Sequence, residues 1–354
     1  MSNSKEQNEK INRIFSNLKP IGNSKDEFEA FCKLNSSRIS TGWLSVDKAL
    51  NGGITNELYI MGAETSTGKS AFMMAMAQNI AENGCNVLYF SLEMSQKEFI
   101  ARGISNLSFL AHEQDKNKQM FTTAEILFWS YNESTQQFEK TSYFSYEKYA
   151  EEYFTKYGKN LYIVEGGING FCAKDIANIA ANFKKIHNNS PVVVFVDYLQ
   201  LLKADDEMSH IDRKTKTDVS VTTLKALASQ IGIPVFTVSS VSRSKYGEKI
   251  STSSYKESGD TEYTGGIMIG WNWHGVTDEA DVRTSEREKK ACQTRGYRKM
   301  TFEILKYRNA ERDKDVKLVY YPASNTFVDE FIWKQKNNAE NPFSTWDSST
   351  TTHI

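Results

Sequence analysis

The segment 62–70 has the residue types and spacing of a phosphate-binding loop. It follows a short apolar run and opens a helical pattern, which is the context that such a loop requires. Gly68 leaves room for backbone amides to wrap phosphate oxygens, Lys69 can reach the β and γ oxygens, and Ser70 can bind Mg²⁺. A helix that begins there directs its positive end at the anion. The candidate loop comprises Ala63, Glu64, Thr65, Ser66, Thr67, Gly68, Lys69 and Ser70, with Ala63 in place of the usual first glycine.

Two acidic residues follow apolar runs and could complete a hydrolytic site. A nucleotide hydrolase needs a carboxylate in the metal shell and a base that orients water. Asp197 ends the run 192–196 and is the candidate Mg²⁺ ligand, while Glu93 follows the run 87–90 and is the candidate base. Both would lie at the carboxyl edge of a parallel sheet, where α/β folds bind ligands. Taken alone, either signal is weak, because many strands end in aspartate and Glu93 could be a solvated helix cap.

The elements that must position these side chains are short apolar strands alternating with helices. Fully apolar runs at 58–61, 87–90, 192–196, 235–238 and 267–269 suit strands that are buried on both faces, as in a parallel sheet. Helical patterns over 70–83 and roughly 218–231 end at Gly84 and Gly232, two candidate C-caps. The runs 300–305 and 316–321 flank a polar turn and predict a hairpin. We therefore expect an α/β fold with a mainly parallel, twisted sheet flanked by helices and a C-terminal β-hairpin.

The two ends of the chain have a different character from the middle. Ile11, Ile14, Phe15 and Leu18 have the spacing of an amphipathic helix, and a second short helix is predicted around Phe28. Such short helices are marginal alone and need a docking surface, on the same chain or on a neighbour. The end of the chain is rich in Asn, Ser and Thr. We expect a docking region at 1–40, a main domain at 41–333 and a polar, flexible tail at 334–354.

Composition limits the function classes. A hydrophobic fraction of 39% and a charged fraction of 25% are typical of a soluble globular protein. The net charge of −1 means that any nucleic-acid affinity must come from local basic patches. The four cysteines lie far apart without zinc-ligand spacing, which favours reduced thiols. With no apolar run long enough to span a bilayer and a polar N-terminus, we expect a cytoplasmic protein.

Six short motifs, in order along the chain, resemble those of the replicative DnaB-type hexameric helicases. The alanine at position 63 also fits, because that family commonly has alanine there. The resemblance covers residues 41–329, and the joint order of the motifs makes it specific. The motifs are Thr41 to Trp43 with Gly52 and Gly53, Ser91 to Ser95, Asp197 to Leu202, Leu224 to Ala228, Glu257 to Gly259, and Lys306 to Asn309.

The resemblance implies a RecA-like P-loop ATPase motor that uses ATP and Mg²⁺ and assembles as a hexameric ring. Lys69 and Ser70 would bind phosphate and metal, with Asp197 in the Mg²⁺ shell. Glu93 would polarise the attacking water. Lys306 and Arg308 would act on the γ-phosphate of a neighbouring subunit. The loops 203–216 and 243–256 would line a central channel and bind single-stranded DNA. The implied DNA-binding residues are Arg213, Lys214, Lys216, Arg243, Lys245, Lys249, Lys256, Glu257 and Gly259.

This sequence also departs from the family pattern. The family usually has a Ser-Gln pair where this chain has Ser239 and Ser240, and that glutamine senses the γ-phosphate. Serine is too short for the same role, so we expect weaker coupling between hydrolysis and DNA. Tyr307 replaces a glutamine, and Ala310 replaces a glycine. Only about forty residues precede the main domain, so the expected ring has no N-terminal collar.

Three interpretations of function stay open at this point. The first is an ATP-driven helicase that translocates on single-stranded DNA during replication, with a loader or primase as a further partner. The second is an ATP-gated DNA-binding or loading module with a weak or uncoupled ATPase. The third, a recombination or regulatory ATPase, is disfavoured by the motif order.

Two further stretches allow a functional and a structural interpretation. The basic segment 283–299 could face DNA, but its interleaved glutamates favour a solvated charged excursion. The aromatic-rich segment 121–157 could stack on bases, but core packing of a helical insertion is the favoured interpretation. Its aromatic side chains include Phe128, Trp129, Tyr131, Tyr143, Phe144, Tyr146, Tyr149 and Tyr153.

Overall fold

The computed structural model describes most of the chain in two compact units. The described residues are 20–34, 38–166, 170–188, 190–205, 211–255, 266–274, 290–292, 294–307 and 315–337, with 11, 12, 15, 16 and 18. The units are Met1–Arg38 and Ile39–Ile354. The first contains a 3-10 turn at Ile21–Ser24 and helix α1 at Lys25–Leu34. The predicted second short helix is therefore confirmed, whereas the three-part domain division remains a prediction.

The second unit is built on a mixed nine-stranded sheet. The five predicted apolar runs are confirmed as β1 (Leu58–Ala63), β2 (Asn86–Ser91), β6 (Val192–Asp197), β7 (Val235–Ser240) and β8 (Ile267–Trp273). Every residue of these strands is buried except Ser240, which is half-buried. The strands alternate between two cores: Val193 and Phe195 face one, and Val194 and Val196 face the other. Burial on both faces explains why the runs are apolar throughout.

The strand order brings the candidate chemistry to one edge of the sheet. The order is β11-β10-β9-β8-β1-β7-β6-β2-β5, with β5 at Leu161–Glu165, β9 at Arg298–Tyr307, β10 at Asp315–Tyr321 and β11 at Thr326–Asp329. The six strands from β8 to β5 are parallel, and β9, β10 and β11 extend the sheet in antiparallel fashion. The predicted α/β class and C-terminal hairpin are confirmed. Strands β5 and β11 were not predicted.

Helices cover both faces of the sheet. Helix α2 (Leu44–Ala49) and helix α3 (Lys69–Glu82) contribute to one core, and α7 (Ala173–Ile186) and α8 (Arg213–Ile231) contribute to the other. The predicted terminating glycines are confirmed: Gly232 is the left-handed C-cap of α8, and Gly84 follows the end of α3 with φ of 82°. Helix α8 begins at Arg213, earlier than predicted, because Asp212 caps its N-terminus.

Between β2 and β5 the chain forms a helical insertion with its own small core. It consists of α4 (Gln96–Gln114), α5 (Thr123–Leu127), a hairpin of β3 (Ser130–Asn132) and β4 (Gln137–Glu139), and α6 (Tyr143–Tyr157). Core packing is confirmed for Tyr146, Tyr149 and Tyr153, which are buried. It is wrong for four others, because the short hairpin and the start of α6 leave their rings in solvent. The exposed side chains are Phe128, Trp129, Tyr143 and Phe144.

The remaining described features are simple. Helix α9 (Glu330–Asn337) runs beyond position 334, where a flexible tail was expected, and residues 338–354 lie outside the described part. The four cysteines are free thiols. Within the described ranges, no cluster of three His, Cys, Asp or Glu residues could hold a metal. None of the described helices is long and apolar enough to cross a membrane.

Candidate nucleotide site and nucleic-acid interface

The segment 64–68 joins the buried strand β1 to helix α3 in a tight loop. Gly68 caps the helix in the left-handed conformation, with φ of 91°. A Cβ there would lie 2.6 Å from the Tyr320 ring, so both the backbone conformation and the close approach require glycine. The loop backbone meets the amino end of α3, where unpaired amides and the helix dipole favour an anion. The predicted strand–loop–helix context is therefore present.

Side chains from distant strands hold this loop in shape. Trp271 of β8 donates its indole N–H to Thr67 O at 3.0 Å, and Arg298 of β9 donates to Ser66 O at 2.6 Å. Within the loop, the Thr67 hydroxyl donates to Glu64 O at 2.9 Å. The Arg298 guanidinium lies 5.3 Å from the Trp273 ring centroid and 5.7 Å from that of Tyr320. Side chains from β8 and β9 thus hold the phosphate loop in shape.

Arg298 was assigned from sequence to a solvated charged excursion, and the structure differs. It is the first residue of β9, where the antiparallel register carries it to the phosphate-loop edge. Its neighbour Lys299 lies 3.5 Å from Glu330. The alternation of glutamate and basic residues upstream gave no signal for these contacts. Of the same segment, 283–289 lies outside the described residues.

Asp197 lies at the end of β6, two strands from β1, and is only 2% exposed. Tyr89 donates its hydroxyl to Asp197 Oδ2 at 3.1 Å, while the buried Oδ1 atom has no hydrogen-bond partner. Burial raises the pKa of the carboxyl, and the nearby Ser70 and Tyr89 hydroxyls and the Lys69 ammonium oppose that rise. The Asp197 Oδ1 atom is therefore a buried oxygen that could accept a further contact.

This donor set fits a magnesium ion. Mg²⁺ prefers oxygen ligands and usually combines one or two protein groups with phosphate oxygens and water. Asp197 offers an unsatisfied carboxylate oxygen, and the nearby Ser70 offers a hydroxyl in the first turn of α3. Lys69 precedes it, and its ammonium lies 5.2 Å from the Tyr198 ring centroid. The predicted phosphate and metal groups thus converge at one place.

Glu93 lies in an exposed turn directly after β2. Ser91 pairs with Asp197 across β2 and β6, and Leu92 N donates to Asp197 O at 3.0 Å. These contacts bring the turn to the Asp197 edge, close enough for the Glu93 charge to contribute to the raised pKa of Asp197. Ser95 then begins α4 with a reciprocal capping box to Glu98. Glu93 is an exposed acid beside the phosphate site rather than the helix cap.

Lys306 lies far from the phosphate loop of its own chain. The register pairs Lys306 of β9 with Met268 of β8, and Met268 with Ile60 of β1. Ile60 precedes the end of β1 by about 10 Å at roughly 3.3 Å per residue. The two strand spacings from β1 to β9 add about 10 Å sideways. Tyr307 is buried in the core, and Arg308 lies outside the described residues.

The basic residues predicted to bind DNA at 213–216 form the first turn of α8 rather than a loop. Arg213 and Lys214 are exposed, and Lys216 donates to Gln200 O at 3.3 Å. The Asp212 carboxylate accepts hydrogen bonds from Lys214 N and Thr215 N. Because the end amides are capped, these side chains rather than the helix terminus are available to a phosphate backbone.

We call residues 241–255 the β7–β8 loop, and it contains the second set of predicted DNA contacts. Lys245 pairs with Glu248 at 2.9 Å, and Lys249 pairs with Glu303 of β9 at 2.9 Å. Both ammonium groups are therefore already committed to carboxylates of the same chain. The side chain of Arg243, and residues Lys256, Glu257 and Gly259, lie outside the described part.

Gln200 connects the ends of β6 and β7 at the site edge. It donates to Ser239 Oγ at 2.9 Å and accepts from Ser240 N at 3.2 Å. Ser239 and Ser240 pair with Gly62 and Ala63 of β1, directly before the phosphate loop. The Gln200 amide, in the turn that follows β6, thus lies against the end of β7 beside the phosphate loop.

The sheet and its strand–loop–helix junction define a RecA-like P-loop fold of the kind that binds nucleoside triphosphates. The chain belongs to the family described as the DnaB-like helicase C terminal domain, whose model matches residues 38–329. The resemblance inferred from the six motifs is confirmed.

Known relatives agree with this assignment. The chain is 26% identical over 235 residues to the replicative DNA helicase DnaB of Geobacillus stearothermophilus and 30% identical over 241 residues to that of Rickettsia felis. The matches span 65% of this chain in both cases, but only 46% and 44% of those proteins. The chain therefore spans less than half the length of these relatives.

Solved structures share the fold. One of them, an ATPase domain, superposes with a TM-score of 0.67 at 19% identity, over 88% of this chain and 99% of that chain. A DnaB-like replicative helicase, solved with its interactions with primase, gives 0.66 at 19% identity over 88% of this chain and 67% of that one.

Proposed function

We propose that this protein is an ATP-hydrolysing motor that translocates on single-stranded DNA as a helicase during DNA replication. The observation that carries the proposal is the buried Asp197 with its unsatisfied Oδ1 atom, beside Ser70 and Lys69 at the amino end of α3. Leaving a buried carboxylate oxygen without a partner is unfavourable. Its retention beside a phosphate loop is best explained by a ligand that supplies the missing contact.

ATP and Mg²⁺ are the proposed substrate and cofactor. Ser70 and Asp197 would hold the ion, which neutralises phosphate charge when it is bound. Lys69 would contact the β and γ oxygens, and the backbone of residues 63–68 would surround the phosphates. Glu93, in its exposed turn beside Asp197, would orient and deprotonate the attacking water.

A neighbouring subunit would complete the pocket. Lys306 is about 10 Å along and about 10 Å across the sheet from its own phosphate loop, too far to act there. Lys306 and Arg308 would therefore reach the γ-phosphate bound by the next subunit in a hexameric ring. An arginine suits this role because its planar fork can contact two phosphate oxygens.

The N-terminal region would contribute to assembly. Ile11, Phe15 and Leu18 are apolar side chains that are 44%, 67% and 65% exposed. We propose that these side chains dock on an adjacent subunit. A loader or primase is a further proposed partner, and a cytoplasmic location is part of the same proposal.

An ATP-gated DNA-binding or loading module is the second candidate. It is favoured by Ser239 and Ser240, which hydrogen-bond with Gln200. A γ-phosphate sensor at position 240 would be missing, and the ATPase would respond little to DNA.

ATPase and strand-separation assays distinguish the two candidates. The helicase proposal expects single-stranded DNA to stimulate hydrolysis and the protein to separate a forked duplex, with both activities lost in Lys69→Ala. Modest stimulation is expected, because of Ser240. The gated module would be favoured if single-stranded DNA does not stimulate hydrolysis and if the protein, at concentrations at which it is assembled, does not separate the strands. Turnover of Lys69→Ala at the wild-type rate would reject the phosphate-site assignment altogether.

A further inference from the structure

The β7–β8 loop is a closed structure rather than a loose excursion. Val241 and Tyr255 form a bridge at its base, and Ser242 N donates to Ser254 O at 3.0 Å. Ile250 is 3% exposed and packs in the core beneath the loop. The bridge at the base and the buried Ile250 therefore both tie this segment to the body of the fold.

One fastening of this loop is to the rigid part of β1. The Tyr255 hydroxyl accepts from Gly62 N at 3.1 Å and lies 2.8 Å from Ile269 O, to which it donates. Complete burial raises the pKa of this phenol and keeps it protonated. A Cβ on Gly62 would lie 2.8 Å from the Tyr255 ring, so the strand has no side chain there. This contact sets the position of the loop against the sheet.

A second fastening is to the phosphate loop itself. Glu64, the first residue after β1, is 5% exposed, and its Oε1 atom accepts from Gly247 N at 2.5 Å. Gly247 is buried with φ of 86°, and it lies near the middle of the β7–β8 loop. A buried carboxylate that accepts from a backbone amide makes a stronger hydrogen bond than a neutral pair does. The phosphate-binding backbone and the β7–β8 loop are thus joined directly.

The two fastenings have different mechanical consequences. Tyr255 holds the loop to a strand that is hydrogen-bonded on both sides, whereas Glu64 holds it to a segment whose backbone must adjust around a phosphate. Any displacement of residue 64 on nucleotide binding pulls on Gly247.

We propose that Glu64 is a positioning residue that transmits nucleotide occupancy of the phosphate loop to the β7–β8 loop through the Gly247 amide. The consequence for DNA affinity rests on the proposed function, because only there is the β7–β8 loop a DNA-binding element. The coupling itself does not require DNA.

Hydrogen–deuterium exchange over residues 241–255 tests the coupling without DNA. The full chain is compared alone, with Mg²⁺-ADP and with Mg²⁺ and a non-hydrolysable ATP analogue, each at saturation measured with a fluorescent nucleotide. Wild type should show nucleotide-dependent exchange in this loop. Glu64→Gln keeps an acceptor oxygen and should retain the response, whereas Glu64→Ala should lose it.

Asn272 provides a matched control. Its Oδ1 atom accepts from Ile250 N at 2.9 Å, so it fastens the same loop to β8 instead of to the phosphate loop. Asn272→Ala should increase exchange in every state while keeping the difference between nucleotide states. A merely structural role for Glu64 would give that same pattern in Glu64→Ala and would overturn the proposal. Because residue 64 lies in the phosphate loop, each variant is compared at its own saturating nucleotide concentration, so that weaker binding by Glu64→Ala does not mimic a loss of the response.

Single-stranded DNA affinity provides the second readout. The ratio of dissociation constants with ADP and with the ATP analogue should be on the order of 5- to 150-fold in wild type, as for typical coupled sites. It should fall towards one in Glu64→Ala and persist in Glu64→Gln and Asn272→Ala. If wild type does not bind the oligonucleotide, the proposed function fails, and the exchange experiment still decides the role of Glu64.

Discussion

The Asp197 carboxyl is buried at the phosphate-site edge of the sheet, beside the Ser70 and Tyr89 hydroxyls. The Oδ1 atom is buried without a partner, and burial raises the pKa of the group despite the nearby Ser70 and Tyr89 hydroxyls and Lys69. A buried unsatisfied polar group costs about 1–3 kcal/mol, and more when it is charged. The protein without ligand is therefore less stable than it would be with a neutral side chain at this position.

Asp197→Asn should raise the melting temperature of the ligand-free protein and abolish its stabilisation by Mg²⁺ with an ATP analogue. The amide can still accept from Tyr89 but carries no charge. In wild type the raised pKa means that stability is greatest when Asp197 is protonated and falls as the pH rises through that pKa. The variant should lack this component of the pH dependence.

Thermal unfolding between acidic and neutral pH measures both effects. The control is Asp315→Asn, at an exposed position that begins β10. It should change neither the melting temperature of the ligand-free protein nor the pH dependence of that temperature. A lower melting temperature for Asp197→Asn without ligand would mean that Asp197 stabilises the fold, and the unsatisfied-oxygen argument would be wrong.

Glu93→Gln should bind ATP normally but hydrolyse it slowly. The substitution keeps the shape of the side chain and removes its basicity, and loss of a general base typically lowers the rate by about 10²- to 10⁴-fold. Steady-state ATPase and nucleotide affinity are the measurements. Glu165 ends β5 at the same edge and pairs with Ser91, so Glu165→Gln is the matched control. Equal losses of ATPase rate in Glu93→Gln and Glu165→Gln would instead indicate a general effect of negative charge at this edge of the sheet.

The central site residues could be predicted because each follows a recognisable strand. Lys69 and Ser70 lie in a motif, and Asp197 and Glu93 follow runs that form β6 and β2. The residues that support the loop could not be predicted. Arg298 and Trp271 contact Ser66 and Thr67 across more than 200 positions of sequence, and only the register of β8 and β9 brings them together.

At the scale of elements, the amino end of α8 is an exposed basic feature, with Arg213 and Lys214 in its first turn. Lys214 is exposed, and its backbone amide is already capped by Asp212. Basic side chains in a first turn are unfavourable against the helix dipole. A bound phosphate backbone would relieve that repulsion.

Lys214→Gln should therefore weaken the salt dependence of single-stranded DNA binding. The slope of log affinity against log salt should fall by about 0.7 for each phosphate that the protein no longer neutralises. Lys225→Gln, farther along the same helix and near Glu57, is the control and should leave the slope unchanged. We expect a smaller change for Lys249→Gln, because Lys249 is already paired with Glu303. Equal slopes for wild type and Lys214→Gln would move the DNA contact away from α8.

Elements with a clear periodic signal were predicted and those defined by context were not. The apolar strands of the centre are buried on both faces, so their sequences reveal them. β5 lies at the sheet edge and is only half-buried, and the four-residue β11 exists because it pairs with β10. The early start of α8 depends on the Asp212 cap within a polar segment that has no apolar periodicity.

At the scale of the whole molecule, the proposed action of Arg308 on a neighbour can be tested by mixing two inactive variants. Arg308→Ala should bind ATP but lose roughly 10³-fold or more in turnover if the arginine is fully used. Lys69→Ala lacks a working pocket but still presents Arg308 to the next subunit. With random mixing, about a quarter of the interfaces combine an intact pocket with an intact arginine, so basal ATPase should return.

The alternative is a structural ion pair of Arg308 within its own chain. Both variants would then stay inactive when mixed. Sizing chromatography must show that the mixture contains shared assemblies, and Lys69→Ala mixed with Glu93→Gln serves as the control, since neither offers a complete pocket. No recovery in shared assemblies would remove the proposed role of Arg308.

The strand register separates Lys306 from the phosphate loop of its own chain. The proposed contact of Lys306 and Arg308 with a neighbour's γ-phosphate would therefore give the assembly a direction. In the proposed hexameric ring, the pocket of each subunit would meet one neighbour and its Lys306–Arg308 pair would meet the other, so the proposed contact is head-to-tail. An open row of n subunits holds n − 1 completed pockets, whereas a closed circle holds n. Under this proposal, ATP turnover per subunit would start near zero for a lone molecule, rise as rows lengthen, and reach its maximum only when the ring closes.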